Sequence, residues 1–386
     1  MTKTALPTNE TKKAVWEAYH ARKPTRVPLR WNVNPRIILL NPALNPEGYT
    51  FRQYFNEPRV TLTIQSRSQE YVGTTLSKTC DFETKLPDAW SFGVDNQNTY
   101  DAAYFGAQIV FEEGQVPSTL PAHTFDDLDD FLARDFSRPL ENPWLRGRLA
   151  FHAQLTREAE TFTYLGRKGS VGAFGVGFDG PVTAIASLFG ADGMAILAGE
   201  PEKAVRLMNK IVSDVLVRNR TLAERAGGWK KNDWGWAADD SIQLISTEMY
   251  REMVLPVHAR WYDEISNTKP ADGRRSIHLC GDATRHFRTL RDELGVTSFD
   301  TGFPVDHGWL RKELGPGVEI SGGPPVMVLR EQTPADCAAW AKRILQSGIM
   351  EGGRFILQEA NNLPPCVPLE NLTAVYETCL EFGRYA

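Results

Sequence analysis

The chain has no long hydrophobic run, no block of like charge and few cysteines, and each absence removes a class of protein. No apolar stretch approaches the roughly 20 residues of a membrane-spanning helix. No lysine or arginine cluster stands out, and a net charge of −5 argues against nucleic acid as a partner. The five cysteines, Cys80, Cys280, Cys337, Cys366 and Cys379, are scattered and odd in number. That pattern suits reduced thiols in a cytoplasm better than a disulfide framework. The opening residues, Met1 to Pro7, lack the apolar core of a secretory signal. No short repeat or low-complexity segment is evident.

What is present is an ordinary globular composition, 42% hydrophobic and 24% charged, in 386 residues, enough for one large α/β domain or two ordinary ones. Residues 9–22 read as an opening helix, with Val15, Ala18 and Tyr19 at helical spacing. The stretch 29–125 is aromatic and broken by proline and glycine, and it reads as short strands and loops with few long helices. The run from Thr124 through Asp126, Asp127, Asp129 and Asp130 reads as an acidic helix start, since carboxylates favour a helix N-terminus.

From residue 145 the pattern alternates. Helices are expected over 145–164, 181 onward, 200–226, from Ser246, 283–294, 306–314, 333–347 and 368–382. Strands are expected near 170–175, 233–238, 276–280, 296–300, 318–321 and 355–358. Strand and helix in turn with short loops predict parallel strands, and the count suits a closed (β/α)8 TIM barrel. The runner-up is an open Rossmann-like sheet, because Gly175-x-Gly177-x-x-Gly180 matches the bare dinucleotide pattern. That motif does not sit at the first βα turn, where a dinucleotide fold carries it.

The chemistry concentrates in Ser276-Ile277-His278-Leu279-Cys280-Gly281-Asp282. Strand side chains alternate faces, so His278 and Cys280 point one way while Ile277 and Leu279 point the other. An imidazole and a thiol together supply two of the three protein ligands of a catalytic zinc. The plain alternative is a buried cysteine beside a hydrogen-bonded core histidine. Asp239 and Asp240 end one expected strand and are candidates to contact substrate or orient a metal ligand, Asp240 being taken as catalytic, and Asp300 ends another as a candidate general acid or base. Asp239 and Asp240 read equally well as a helix cap, and Asp282 as a cap for the helix after it. Phe174 and Phe178 flank the glycine loop and are candidates to line a cofactor or substrate pocket, as are Trp234 and Trp236. His307 follows Asp306 at a helix start, where a surface position is expected.

A longer set of motifs carries a resemblance. It includes His278-Leu279-Cys280-Gly281, Leu294-Gly295-Val296, Asp300 and Asp306-His307-Gly308-Trp309. It continues through Ser321-Gly322-Gly323-Pro324-Pro325, Gly352-Gly353-Arg354 and Pro368-Leu369-Glu370-Asn371. Together with Arg26-Val27-Pro28 and the stretch 172–190, these resemble the uroporphyrinogen decarboxylase superfamily, in particular its cobamide-dependent methyltransferase branch. The resemblance is clear from 145 onward and thin between 30 and 100. It implies a single (β/α)8 barrel domain over 1–386, with 29–125 as an N-terminal elaboration.

That branch binds zinc through His-x-Cys and a distant cysteine, so the resemblance implies His278, Cys280 and Cys366 as metal ligands. Cys366 is in the expected loop but lies about four residues closer to Pro368 than the family pattern, with Asn362 at the family position and Glu359 as a further alternative. The implied activity is methyl transfer between a small molecule, such as an aromatic methyl ether, and a corrinoid (cobalamin) on a partner protein. No corrinoid-binding domain is evident in this chain. The arginine motif with which the decarboxylases hold porphyrinogen carboxylates is absent from 27–36, and no basic cavity is evident. Decarboxylation and non-catalytic ligand binding are the alternative functions.

Overall fold

The computed structural model describes residues 6–385; residues 1–5, within the segment read as lacking a secretory signal, lie outside them. Short strands come first: β1 (Trp90–Phe92), β2 (Ile109–Val110), β3 (Ser118–Thr119) and β4 (Gly169–Val171). The C-terminal half adds β5 (Gly235–Ala238), β6 (Arg275–Leu279), β7 (Val296–Thr301), β8 (Glu319–Gly322) and β9 (Phe355–Leu357). These last five form one parallel sheet in sequence order, each joined to the next through helix. Neighbours in sequence being neighbours in space is what short crossovers impose.

Two further parallel pairings extend the pattern. Leu29 bridges Leu357 beside β9, and β1 pairs with β4. Among the described residues, the Leu29 segment, β1 and β4 to β9 make eight segments in parallel pairing, with single parallel bridges also at Asn232–Ser266 and Pro325–Ala360, whereas β2 and β3 form an antiparallel pair. Among the described residues no ladder joins β4 to β5 or β1 to the Leu29 segment, so hydrogen bonds do not draw a closed ring. The expected alternating α/β fold is present; closure is not seen in the pairing. One hydrophobic cluster runs from Val27 to Leu380 and includes residues of β5 to β9 and their helices.

The helices follow from their sequence. Pro201–Arg225 buries Ala204, Leu207, Met208, Ile211, Val212 and Val215, the stripe its spacing demands. Asn142 caps the helix Pro143–Thr161 by accepting from the Leu145 amide, and Thr333 with Asp336 forms a capping box before Pro334–Leu345. The acidic run near 126–130 starts the short helix Leu128–Ala133, with Asp127 folded back onto Thr124 at 2.7 Å.

Between 29 and 125, expected as short strands and loops with few long helices, the structure has one long helix, of 17 residues, Pro58–Thr74. Its Val60-Thr61-Leu62-Thr63-Ile64 run alternates like a strand. The helix tolerates that pattern because it is buried on two sides. Val60 and Ile64 enter the main core, while Leu62 enters a small cluster with Trp90, Phe92, Leu155, Ala159 and Phe162.

The helix Pro181–Phe189 is seated by Gly180, whose φ is +100°. A Cβ there would run into the Ala238 carbonyl and the Asp239 side chain at the end of β5. Strain and clash act together, so Gly180→Ala is expected to lower stability by about 2–4 kcal/mol. Urea unfolding of the two proteins measures the difference; a shift within error of zero would mean the loop relaxes without cost.

Candidate metal centre

The burial pattern of β6 places the site. Arg275, Ile277 and Leu279 are buried, and Ser276 and His278 between them face a more open side. The register then chooses the neighbours. His278 pairs with Asp300 on β7, and Ala238 pairs with His278 from β5. Continuing that last pairing by two residues sets Asp240 beside Cys280.

A single chain of hydrogen bonds results. Cys280 Sγ lies 2.9 Å from His278 Nε2, and His278 Nδ1 lies 2.8 Å from Asp300 Oδ2. Gln358 Nε2 donates to Asp300 Oδ1 at 2.6 Å, and Arg30 Nε donates to Gln358 Oε1 at 2.8 Å. From the other side Asp240 Oδ1 accepts the Cys280 amide at 2.7 Å. Asp240, His278 and Cys280 each offer a ligand atom, and the three atoms lie within 4.8 Å of one another. A carboxylate, an imidazole and a thiol are donors that zinc accepts, so the residues fit such an ion.

The groups are electrostatically coupled. Burial opposes a charged His278, but hydrogen bonds to Asp300 and Cys280 outweigh it and lift the imidazole to about 11. Burial raises the Cys280 thiol, against the pull of His278. Glu359, fully buried after β9, is pushed up to about 8 by burial, although it accepts the Asn32 amide at 3.0 Å. Asp179 is lifted to about 7, first by burial and then by the charge of Asp101.

Asp239 holds this end of the sheet in place. Its carboxylate is buried, accepts the amides of Val182 and Thr183, and meets His258 Nε2 at 3.0 Å. It caps the helix Pro181–Phe189 and so fixes Asp240 beside it. Asp282 accepts the Thr284 amide at 3.1 Å, while the helix Phe287–Leu294, which the sequence predicts it to cap, starts at His286 with no side-chain cap.

Other sequence candidates lie elsewhere. Cys366 is exposed, with its thiol 3.5 Å from the Leu40 carbonyl, and it does not belong to the converging group. Asn362 donates to Asn361 Oδ1. Phe174 and Phe178 are buried core residues; Phe178 packs on Trp261 with ring centres 4.7 Å apart. His307 is buried, not at the surface, because its ring packs 5.9 Å from Phe355 under the start of its helix. Trp234 and Trp236 are each 45% exposed, Trp236 opposite Ser276 on the His278 side of the strands. Sequence reading missed Gln358 and Arg30. Gln358 carried a weak signal as the polar residue ending an apolar strand, but nothing in the sequence announced its bond to Asp300.

Parallel strands with a thiol–imidazole–carboxylate centre at their C-terminal ends define an α/β protein of the kind that places its chemistry where strands finish. The uroporphyrinogen decarboxylase (URO-D) family model matches residues 99–382, and the chain belongs to that family. A methylated-thiol–coenzyme M methyltransferase of Methanosarcina mazei is 33% identical over 144 residues, 36% of this chain and 35% of that protein. The methylcobamide:CoM methyltransferase MtbA of the same organism is 27% identical over 145 residues, 38% of this chain and 40% of MtbA. The alignment thus spans well under half the length of either relative. A solved methyltransferase from Methanosarcina mazei superposes with a TM-score of 0.63 at 17% identity, over 97% of this chain and 99% of that one, which establishes the shared fold.

Glu359 generates a prediction in pH. Its pKa is about 8 when folded, against an ordinary 4.5, so the native state holds a proton that the unfolded chain has lost. Its contribution to stability is therefore complete below pH 4.5 and lost as the pH rises to about 8. Glu359→Gln removes that loss, so its melting temperature relative to the parent is expected to climb between pH 5 and 8 and level off above. Thermal unfolding across that range checks it; a constant difference would show that Glu359 titrates normally.

Proposed function

We propose that this chain is a zinc-dependent methyltransferase that moves a methyl group between a small molecule and a corrinoid carried by a partner protein. The observation that carries the reading is the convergence of Asp240, His278 and Cys280 within 4.8 Å at the strand ends. Family membership and relatives named for methyl transfer support it. We take the eight parallel segments as a (β/α)8 barrel forming one domain, with 29–125 elaborating its N-terminal part. The corrinoid would meet the site at the C-terminal strand ends. The five free thiols suit a reducing compartment, and we place the protein in the cytoplasm.

A zinc bound here would act as a Lewis acid with a position open for the sulfur or oxygen that carries or receives the methyl group. The protein's part is to hold the ligands in that state. Asp300 occupies His278 Nδ1, so Nε2 is the nitrogen left for the metal. Gln358 fixes the second oxygen of Asp300, and Arg30 fixes Gln358. Asp240 orients the turn that carries the Cys280 thiol through its amide. Asp300 thus serves as an orienting residue, which is the role we give it in place of direct acid–base work. The aromatic richness of the chain, 10% Phe, Trp and Tyr, favours an aromatic methyl ether as the donor.

Metal content tests the centre. The purified chain should hold about one zinc, lost in His278→Ala and in Cys280→Ala, since each removes a ligand. Asp240→Asn and Cys366→Ser identify the third: loss of zinc in the former alone selects Asp240, and in the latter alone selects Cys366. A chain that takes up no zinc from supplemented medium retires the metal.

The activity is tested with free cob(I)alamin and a panel of methoxylated aromatics, methylamines, methanol and methylated thiols. One donor should convert the corrinoid to methylcobalamin, visible in its absorbance, and Cys280→Ala should reduce the rate at least ~100-fold. Conversion of a porphyrinogen with no corrinoid reaction would move the chain to the decarboxylases.

A further inference from the structure

The turn that carries Cys280 is held from the neighbouring loops as well as from within the centre. Cys280, Gly281 and Asp282 follow β6, and Asp240–Leu244 forms a short 3-10 helix after β5. The two segments meet at three points. Asp240 Oδ1 accepts the Cys280 amide at 2.7 Å, Gln243 Oε1 accepts the Asp282 amide at 3.2 Å, and His286 Nε2 donates to the Ile242 carbonyl at 2.8 Å. Side chains three residues apart on a 3-10 helix stand above one another, which is why Asp240 and Gln243 reach the same turn. The short helix is itself anchored. Ile242 is fully buried, and the Ser241 amide donates to Thr183 Oγ1 at 3.0 Å. His286 is buried as well, so its bond to Ile242 is shielded from water.

Gly281 shows how close the contact is. Its backbone is not left-handed, so φ does not call for glycine there. Space does: a Cβ would overlap the side-chain amide of Gln243, whose Oε1, Cδ and Nε2 are the nearest atoms. A further contact comes from the loop after β7. The Phe303 amide donates to the Cys280 carbonyl at 3.2 Å, and a Cβ on Gly302 would strike that same carbonyl. The Cys280 amide, the Cys280 carbonyl and the Asp282 amide are thus all engaged by groups from other loops.

We propose that Gln243 is a positioning residue for the centre: it braces the turn after β6 so that the Cys280 thiol stands beside Asp240 before any ion arrives. One short helix then supplies an oxygen donor, Asp240, and the brace of the sulfur donor, Gln243, so the two donors keep their separation as a unit. A hydrogen bond outside the ligand set orients the ligand and removes ordering that ion binding would otherwise have to impose. Gln243 touches neither ion nor substrate in this role. The inference rests on the metal centre proposed above only for the ion that benefits; the brace belongs to the metal-free chain.

Hydrogen exchange and Co2+ titration of the full chain test it, Co2+ being a coloured probe that takes the same oxygen, nitrogen and sulfur donors as zinc. Gln243 is half-buried, so its truncation opens no core cavity. In the metal-free protein Gln243→Ala should speed amide exchange across residues 280–282 about fivefold or more, as loss of one hydrogen bond predicts, with exchange in β7 unchanged. Its Co2+ affinity, read from the thiolate-to-cobalt absorption, should fall about tenfold or more. Gly281→Ala pushes the Gln243 side chain aside and should reproduce both changes. The double variant should be no worse than the single ones, because both substitutions remove the same bond. Gln243→Glu keeps an oxygen for the Asp282 amide and should restore the exchange rate of the parent. Unchanged exchange in Gln243→Ala, or losses that add in the double variant, overturns the inference. Should Gly281→Ala fail to fold, Gln243→Ala and Gln243→Glu decide alone. A parent chain that binds no Co2+ through Cys280 sinks the metal centre, while the exchange rates still decide the brace. Co2+ bound through Cys280 with equal affinity in the parent and in Gln243→Ala sinks this inference alone.

Discussion

The pairing of β6 with β7 is the constraint on which the site depends. It sets His278 opposite Asp300, so an imidazole and a carboxylate meet at 2.8 Å without a flexible linker on either side. A slip of one residue would turn His278 into the packed side now filled by Ile277 and Leu279, and would bring a leucine to the open face. The burial of those two apolar neighbours therefore holds the register, and the register holds the chemistry. The β5–β6 pairing does the same for Asp240 and Cys280.

Around this register the protein spends polar contacts on fixing side chains. Asp239 is buried and is shared between a helix N-terminus and His258, whose other nitrogen lies 3.0 Å from the Tyr250 hydroxyl. Asp101 is held by Arg218 and in turn accepts the Asp179 amide, while Tyr100 bonds the Asp179 carboxylate. The first arrangement lies one residue past the end of β5, and the second lies two residues before the helix Pro181–Phe189. Each substitutes many fixed hydrogen bonds for the mobile water that an exposed carboxylate would otherwise recruit, and a rigid constellation is what ligation within tenths of an ångström requires.

Legibility in the sequence followed the range of the interaction. His278 and Cys280 were readable because strand alternation is a local rule and their spacing of two residues obeys it. The helices after residue 142 were readable from caps and stripes, again local. The helix Pro58–Thr74 was not, because its Val60, Leu62 and Ile64 serve two different clusters and so break the single-stripe pattern. Asp240 was singled out as a strand end, but its partnership with Cys280 needed the register of β5 on β6. Arg30 and Gln358 join the site through a contact more than 300 residues apart in sequence, which no window of sequence contains. His307 read as a surface residue because it opens a helix; tertiary packing against Phe355 overrode that position.

The same reasoning bears on the third ligand. Cys366 has the residue type that the family resemblance implies, and Asp240 has the geometry. The loop with Cys366 is not free to swing: Leu363 is buried and its amide donates to the Asn32 carbonyl at 3.0 Å. Asn361 and Cys366 both hold left-handed backbone, at φ of 118° and 59°, a conformation that costs a non-glycine residue about 1–3 kcal/mol and persists only when surrounding contacts impose it. Bringing the Cys366 thiol to His278 would require the Leu363 anchor and the Leu40 contact to give way. Asp240 needs no such movement, since its carboxylate already lies at the strand end beside Cys280. A thiolate binds zinc better than a carboxylate, yet the difference must exceed what refolding an anchored loop costs. The position of Leu363 in the core is thus the reason for proposing Asp240, and not Cys366, as the third ligand of the zinc proposed above.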